Sequence, residues 1–307
     1  MTNAPEKRRM SLTRYAWLSI GAAVATIALK TWAYQLTGSV GLLSDALESL
    51  VNLAGAVIAL VLLAVAARPP DDEHAFGHGK AEYFASGAEG TLIIFAAASI
   101  AIAAFERFVN PQALTGVGSG LLVNLLATGI NLFAALVIRR AARVHNSVTL
   151  DANSRHLLAD VWTSVGVVVA VAIVAVSKIQ ILDPLIAVAV AGHILMEGIR
   201  IVKGSILGLM DTALEPDEVA RIEATLNEFA SDNISYHALR TRRAGHRRFV
   251  SVHILVPGEW TVHHGHALLE RIESEIREQI PDVTLFTHLE SLDDPASWED
   301  VELDRKA

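Results

Sequence analysis

The sequence predicts an α-helical membrane protein: six transmembrane helices followed by a small cytosolic α/β domain of ferredoxin-like αββαβ order. Three observations predict it. Hydrophobic residues make up 52% of the 307 positions and charged residues only 19%, too apolar a balance for an ordinary soluble chain of this size. The apolar residues crowd into the first two thirds, whereas residues 213–307 read as charged and soluble. Within the last third, apolar residues recur first at helical spacing, then in strand-like runs, then again at helical and strand-like spacing.

Apolar stretches long enough to cross a hydrocarbon core of about 30 Å run over 15–36, 40–66, 85–109, 115–138, 148–177 and 183–209. The connections after the second, fourth and sixth stretches carry Arg68 and Lys80, then Arg139, Arg140 and Arg143, then Arg200 and Lys203. The other connections hold chiefly Arg107 and Lys178. This bias places both termini in the cytosol. The basic segment 1–14 reads as a cytosolic tail, because the apolar stretch behind it is too long for a signal peptide and lacks a cleavage pattern. Residues 15–212 then form the membrane domain, 213–292 the soluble domain and 293–307 an acidic, solvated tail.

In the soluble domain, 215–230 opens with Pro and acids and repeats apolar residues at helical spacing. Two strand-like runs follow around a turn containing Gly245. Leu268, Leu269, Ile272, Ile276 and Ile280 stripe a second helix, and 283–289 is a third strand. A domain of about 80 residues is marginal alone, so packing against a second copy is expected.

Ionisable side chains in a membrane span are costly, about 2.5–3.5 kcal/mol each, and are functional candidates. Glu48 and Asn52 lie four apart in the second span; His156 and Asp160 lie four apart in the fifth. Brought together, these faces offer four oxygen and nitrogen ligands for a divalent ion, with two carboxylates balancing its charge. Asp45 lies near the same face, either as an extra ligand or as a helix-packing residue. Asn124 and Asn131 in the fourth span suit hydrogen bonds between helices. With no cysteine in the chain, thiolate sites and disulfides are excluded.

Two further clusters lie outside the spans. Asp71, His74 and His78 stand within eight residues, loosened by Gly77 and Gly79, and could close around a metal. The soluble domain holds most of the twelve histidines. His237 and His253 fall in its first two strands, His266 opens its second helix, and His288 and Glu290 end its third strand. A shared metal cluster at one end of the sheet is feasible, with His246, His263 and His264 left to solvent.

The ordered set GSVGLLSDALESLVN, DDEHAFGHGKAE, HLLAD, GLMD and HALRTRRAG resembles the cation diffusion facilitators, and within them the bacterial ferrous-iron and zinc efflux antiporters. The resemblance spans roughly residues 12–292. It implies a metal transport site on Glu48, Asn52, His156 and Asp160, a loop site on Asp71, His74 and His78, and a cytosolic site on His237, His253, His266, His288 and Glu290. It also implies a homodimer in the bacterial inner membrane, with Lys80 and Asp211 as a charge pair at the dimer's membrane junction. Many relatives carry two ionisable ligands in the second span, where this chain has Glu48 and Asn52; the metal preference is thereby left open.

The expected activity is export of a divalent cation against protons by alternating access. Zn(II) is favoured, Fe(II) is close behind, and Mn(II), Co(II) and Cd(II) are open. The alternative is a membrane-anchored metal sensor or metal-ordering scaffold without transport. No HExxH helix, GxSxG elbow or phosphate-cradling loop argues for an enzyme or a catalytic cofactor. The net charge of -8, with no basic face, argues against a nucleic-acid partner.

Overall fold

A computed structural model describes residues 4–111, 114–145, 148–231, 233–245 and 247–299. His246 and the tail beyond Glu299 lie outside the described residues. Six long helices come first: α1 (Ala4–Thr37), α2 (Val40–Ala66), α3 (Ala81–Val109), α4 (Val117–His145), α5 (Val148–Ser177) and α6 (Leu182–Leu209). They follow the six apolar stretches closely, except that α1 and α3 begin earlier and α4 runs seven residues longer. Among the described residues, five of them, α2 to α6, are long and apolar enough to cross a membrane. Two compact units emerge, one of residues 1–60 and 86–202, the other of residues 61–85 and 203–307.

The first unit is a helical bundle whose buried contacts use small side chains. Ala22 of α1 packs with Ala134, Ala135 and Ala141 of α4 and Leu157 of α5. Val40 of α2 packs with Ala97, Ile100 and Ala104 of α3 and Ala187 and Ala191 of α6. Small residues let helix backbones approach closely where lipid supplies no hydrophobic drive between helices. The outward faces carry Phe95, Ile102, Phe133, Trp162 and Val176, all exposed, as side chains meeting lipid tails should be. A buried cap joins two helix starts: the Asp183 carboxylate accepts hydrogen bonds from Ser39 Oγ and the Val40 N–H. It thereby satisfies one of the orphan donors at the start of α2.

The second unit contains α7 (Pro216–Phe229), β1 (Ser235–Ala244), β2 (Arg247–Val256), α8 (Val262–Gln279) and β3 (Val283–Ser291), the αββαβ order that the sequence predicts. α7 starts with Pro216 behind a capping box between Glu215 and Glu218, and Thr261 caps α8. The sheet order is β1-β2-β3, antiparallel between β1 and β2 and parallel between β2 and β3. A parallel pair needs a long crossover, and α8 supplies it. Val250, Val252, Ile254 and Val256 alternate into a core with Ile222 and Leu226 of α7 and Ile272 and Ile276 of α8. The pleat therefore sends Phe249, Ser251 and His253 to the opposite face.

Behind β3, Asp293 and Asp294 are exposed to solvent and also make local hydrogen bonds. Asp293 accepts a hydrogen bond from the Gly258 N–H, and Asp294 caps a short 3₁₀ turn at Pro295–Trp298. These acids satisfy backbone donors while staying in contact with solvent. Truncating Ile276, which is fully buried, to Ala is expected to cost about 2–5 kcal/mol through lost burial and a residual cavity. Thermal unfolding of the full-length protein checks it.

Candidate metal centres

In the helical bundle, the i and i+4 spacing on α2 and α5 turns Glu48, Asn52, His156 and Asp160 into one cavity of about 690 Å³. Asn52 Nδ2 donates to Asp160 Oδ1 at 3.2 Å, and His156 Nε2 lies 3.8 Å from Asp160 Oδ2. The four do not form a tight cage. Among the described residues, ligand atoms all within 4.8 Å of one another occur in two other groups. Glu89 of α3 and His193 and Glu197 of α6 line the same cavity, and sequence reasoning passed over them. The signal was present, since His193 and Glu197 are also four apart within an apolar stretch.

Asp45 is committed elsewhere. Its Oδ1 accepts from Lys30 Nζ and from Ser164 Oγ, each at 2.8 Å, and its Oδ2 accepts from Asn124 Nδ2 at 3.1 Å. Lys30 Nζ also donates to Ser49 Oγ at 2.8 Å. Lys30 and Asp45 are each 1% exposed. With three donors and a matching charge, Asp45 joins α1, α2, α4 and α5, and the extra-ligand expectation gives way to the helix-packing one. Asn124 acts as the expected helix-to-helix contact. Lys30 went unnoticed as a candidate, although a lysine inside an apolar stretch needs a partner.

In the second unit, the connection between α2 and α3 folds back on itself. Asp71 Oδ1 accepts from the His74 N–H at 2.7 Å, the His74 ring nitrogen Nδ1 lies 3.2 Å from the same oxygen, and His78 Nε2 stands 3.3 Å from Asp71 Oδ2. Gly77, at φ +82°, permits the turn. These three form one of the two compact ligand groups. Desolvation, the largest single influence on the Asp71 carboxyl, acts upward; hydrogen bonds from His74 and the charges of His78 and His74 outweigh it and hold the carboxyl low.

Strand register builds the other group. His237 stands opposite His253 on β1 and β2, and His253 stands opposite His288 on β3, so the three form one row across the sheet. Glu290, two residues beyond His288, shares that face. Its Oε2 lies 2.9 Å from His237 Nε2, and its Oε1 lies 3.2 Å from His253 Nδ1 and 3.4 Å from His288 Nε2. His237, His253 and Glu290 meet the spacing for one ion. His237 Nδ1 is buried without a hydrogen-bond partner. His266 is not part of this group: it is exposed on α8, 3.9 Å from Glu270 one turn along the same helix. The sequence reading also missed Trp298, whose ring meets the His237 ring edge-on at 5.6 Å.

Two family models match successive parts of the chain, the six-helix segment and the αββαβ segment. The cation efflux transmembrane domain matches residues 16–210, and the cation efflux protein cytoplasmic domain matches residues 214–292. The chain belongs to the cation diffusion facilitator family. Members of this family are cation efflux transporters rather than enzymes, and this chain is one of them. It is 49% identical to an uncharacterized transporter of Synechocystis sp. over 285 residues, 93% of this chain and 92% of that one. It is 30% identical to the cation-efflux pump FieF of Serratia proteamaculans over 282 residues, 90% of this chain and 93% of that one. Among solved structures, the metal-bound C-terminal domain of the CzcD transporter from Thermotoga maritima is 28% identical, covering 27% of this facilitator and 99% of that chain at a TM-score of 0.25.

Lys80 and Asp211 form the expected charge pair within one chain, at 3.0 Å, and Arg242 joins them at 3.2 Å. Burial, the largest single influence on the Asp211 carboxyl, acts upward, but the hydrogen bonds and charges of Lys80 and Arg242 prevail and hold it below its usual range. A depressed carboxyl contributes stability above its unfolded pKa, and that contribution is lost as pH falls through the folded value. The contact should therefore persist from neutral pH down to about 4 and disappear below. Because both side chains are more than a third exposed, Asp211→Asn should cost at most about 1 kcal/mol at neutral pH. Its melting temperature should converge on the parent's in acid. In contrast, Lys30→Met should cost about 3–5 kcal/mol by leaving Asp45 unmatched, and Lys30→Met with Asp45→Leu should recover most of that. Melting of the three proteins in detergent measures the difference.

Proposed function

We propose that this facilitator exports a divalent cation from the cytosol in exchange for protons, with Zn(II) as the favoured cargo and Fe(II) close behind. The observation that carries the reading is the shared cavity of Glu48, Asn52, His156 and Asp160 on α2 and α5. Two carboxylates balance a dication, the imidazole supplies a borderline nitrogen, and the Asn52 amide oxygen is a neutral fourth ligand. These ligands bind metal only when His156 is neutral and both carboxylates are ionised, so cation and protons compete for one place. Asn52 takes no part in that exchange, because an amide oxygen is not protonated at ordinary pH. The open spacing fits a loading state, in which the ligands converge only once the cation is among them.

Both termini lie in the cytosol and the protein resides in the inner membrane as a homodimer, with Lys80 and Asp211 steadying the junction between partners. The residue groups Asp71, His74, His78 and His237, His253, His288, Glu290 hold further cations. Filling the second of these biases the transport equilibrium to the extent that the two states bind it differently. The FieF relatives are cation-efflux pumps by name, which supports efflux without choosing a metal.

Purified protein in liposomes, tested across a panel of Zn(II), Fe(II), Mn(II), Co(II) and Cd(II), checks the reading. Asp160→Ala should lower uptake at least tenfold, since one lost charge-assisted ligand is worth more than about 1.4 kcal/mol. Asn52→Asp should change the order of preference among the metals. Uptake that persists unchanged in Asp160→Ala, or that ignores a collapsed pH gradient, contradicts the site or the coupling respectively.

A further inference from the structure

We infer that the segment behind β3 is a strap across the end of the sheet, and that it ends in a positioning residue, Trp298, which holds the His237 ring in place for a cation and keeps water from it. This rests on the reading of His237, His253 and Glu290 as a cation site.

Hydrogen bonds trace the strap. β2 and β3 run parallel and end side by side, with Val256 opposite Ser291. One residue further on, the Leu292 N–H donates to the Val256 carbonyl at 2.8 Å, and the Asp293 carboxylate accepts from the Gly258 N–H at 3.1 Å. The segment is thus tied twice to the end of β2. Asp294 then accepts from the Ala296 N–H to start the turn Pro295–Trp298, and the Trp298 indole N–H donates back to the Leu292 carbonyl at 3.3 Å. Closed on itself in this way, the segment sets the Trp298 ring against His237. The sheet order is β1-β2-β3, so the strap leaves from one edge strand and ends on the other.

What the strap does follows from the surroundings of His237. Its Nε2 lies 2.9 Å from Glu290 Oε2, whereas its Nδ1 is buried and has no hydrogen-bond partner. A metal-binding histidine usually has its ring orientation fixed by a hydrogen bond from the nitrogen that does not bind the metal. His237 has no such bond, so packing has to orient its ring. Trp298 supplies that packing: the two rings meet edge-on, 5.6 Å apart at 89°, an arrangement that aromatic rings prefer. The His253 ring adds a second contact at 5.2 Å. Exposure follows the strap. The His237 and Glu290 side chains are 9% and 6% exposed, whereas that of His288, on the β3 edge, is 64% exposed. Trp298 is itself half-exposed, so part of its ring covers His237 and the rest meets solvent. An apolar wall beside the ligands controls the access of solvent to a bound ion, and removing that wall speeds the ion's release.

Two readouts on the full-length protein in detergent test this. Trp298 lies outside the hydrophobic core of its domain, so Trp298→Ala should fold and melt close to the parent. In the metal-free protein, diethylpyrocarbonate modification of His237, located by mass spectrometry, should be several times faster in Trp298→Ala than in the parent. In zinc-loaded protein mixed with excess chelator, the release phase that His253→Ala removes belongs to this group. Trp298→Ala should speed that phase by about 10-fold to 100-fold. Trp298→Phe, which keeps an aromatic edge without the indole N–H, should stay near the parent in both readouts. Unchanged modification and release in Trp298→Ala overturn the inference, and a Trp298→Phe protein as fast as Trp298→Ala overturns the role of ring packing. A parent without any phase that depends on His253 contradicts the cation reading of the group instead. The strap is then judged by the metal-free modification alone, where equal rates in parent and Trp298→Ala overturn it.

Discussion

Charge placed in an apolar span has to be matched inside the protein, and the helical bundle meets that constraint in two ways on one helix. Asp45 stands three positions before Glu48 on α2. Asp45 is matched permanently by Lys30, with Ser164 and Asn124 completing its hydrogen bonds. Glu48 faces a cavity with Asp160 and, among the described residues, forms no ion pair with a lysine or arginine. The first carboxylate pins α1, α4 and α5 to α2; the second leaves its charge to be balanced by whatever enters. A buried ion pair is weak support for net stability but costly to break, which suits a pin better than a source of cohesion. Holding α2 by Asp45 fixes where Glu48 and Asn52 stand relative to α5.

The C-terminal domain solves a different problem with the same residue types. There the ligand atoms are gathered by strand register rather than by helix packing. Because β2 pairs with both neighbours at His253, one row of the sheet carries His237, His253 and His288, and Glu290 reaches across it. Moving any strand by one residue would turn its ligand into the core and expose a core residue in exchange. The hydrophobic contacts of Val252 and Ile254 on the other face therefore hold the face of His237, His253 and Glu290 in alignment. This compact group contrasts with the open site in the bundle, as expected if one holds an ion and the other must release it.

Periodicity made most of this legible in advance. The six apolar stretches and the αββαβ order could be read because hydrophobic spacing reports directly on which face an element buries. The same rule found Glu48 with Asn52 and His156 with Asp160. What it could not report is the neighbour across a helix interface. Asp45 shares the Glu48 face closely enough to look like a ligand, and only the position of Lys30, fifteen residues earlier on another helix, decides that it is not. His266 failed for a related reason: opening α8 near the sheet says nothing about the direction of its side chain, which turns along the helix to Glu270. Lys30, Glu89, His193 and Glu197 were visible as ionisable residues in apolar stretches and needed only the test already applied to α2 and α5.

The most direct test of the account is to locate the cargo itself. Crystals of the full-length protein grown with zinc, measured at the zinc absorption edge, would give an anomalous peak for each bound ion. The account predicts a peak in the larger cavity with Glu48, Asn52, His156 and Asp160 closed around it at about 2.0–2.2 Å. Peaks confined to the loop and C-terminal groups at saturating zinc, with these four side chains still apart, would contradict it.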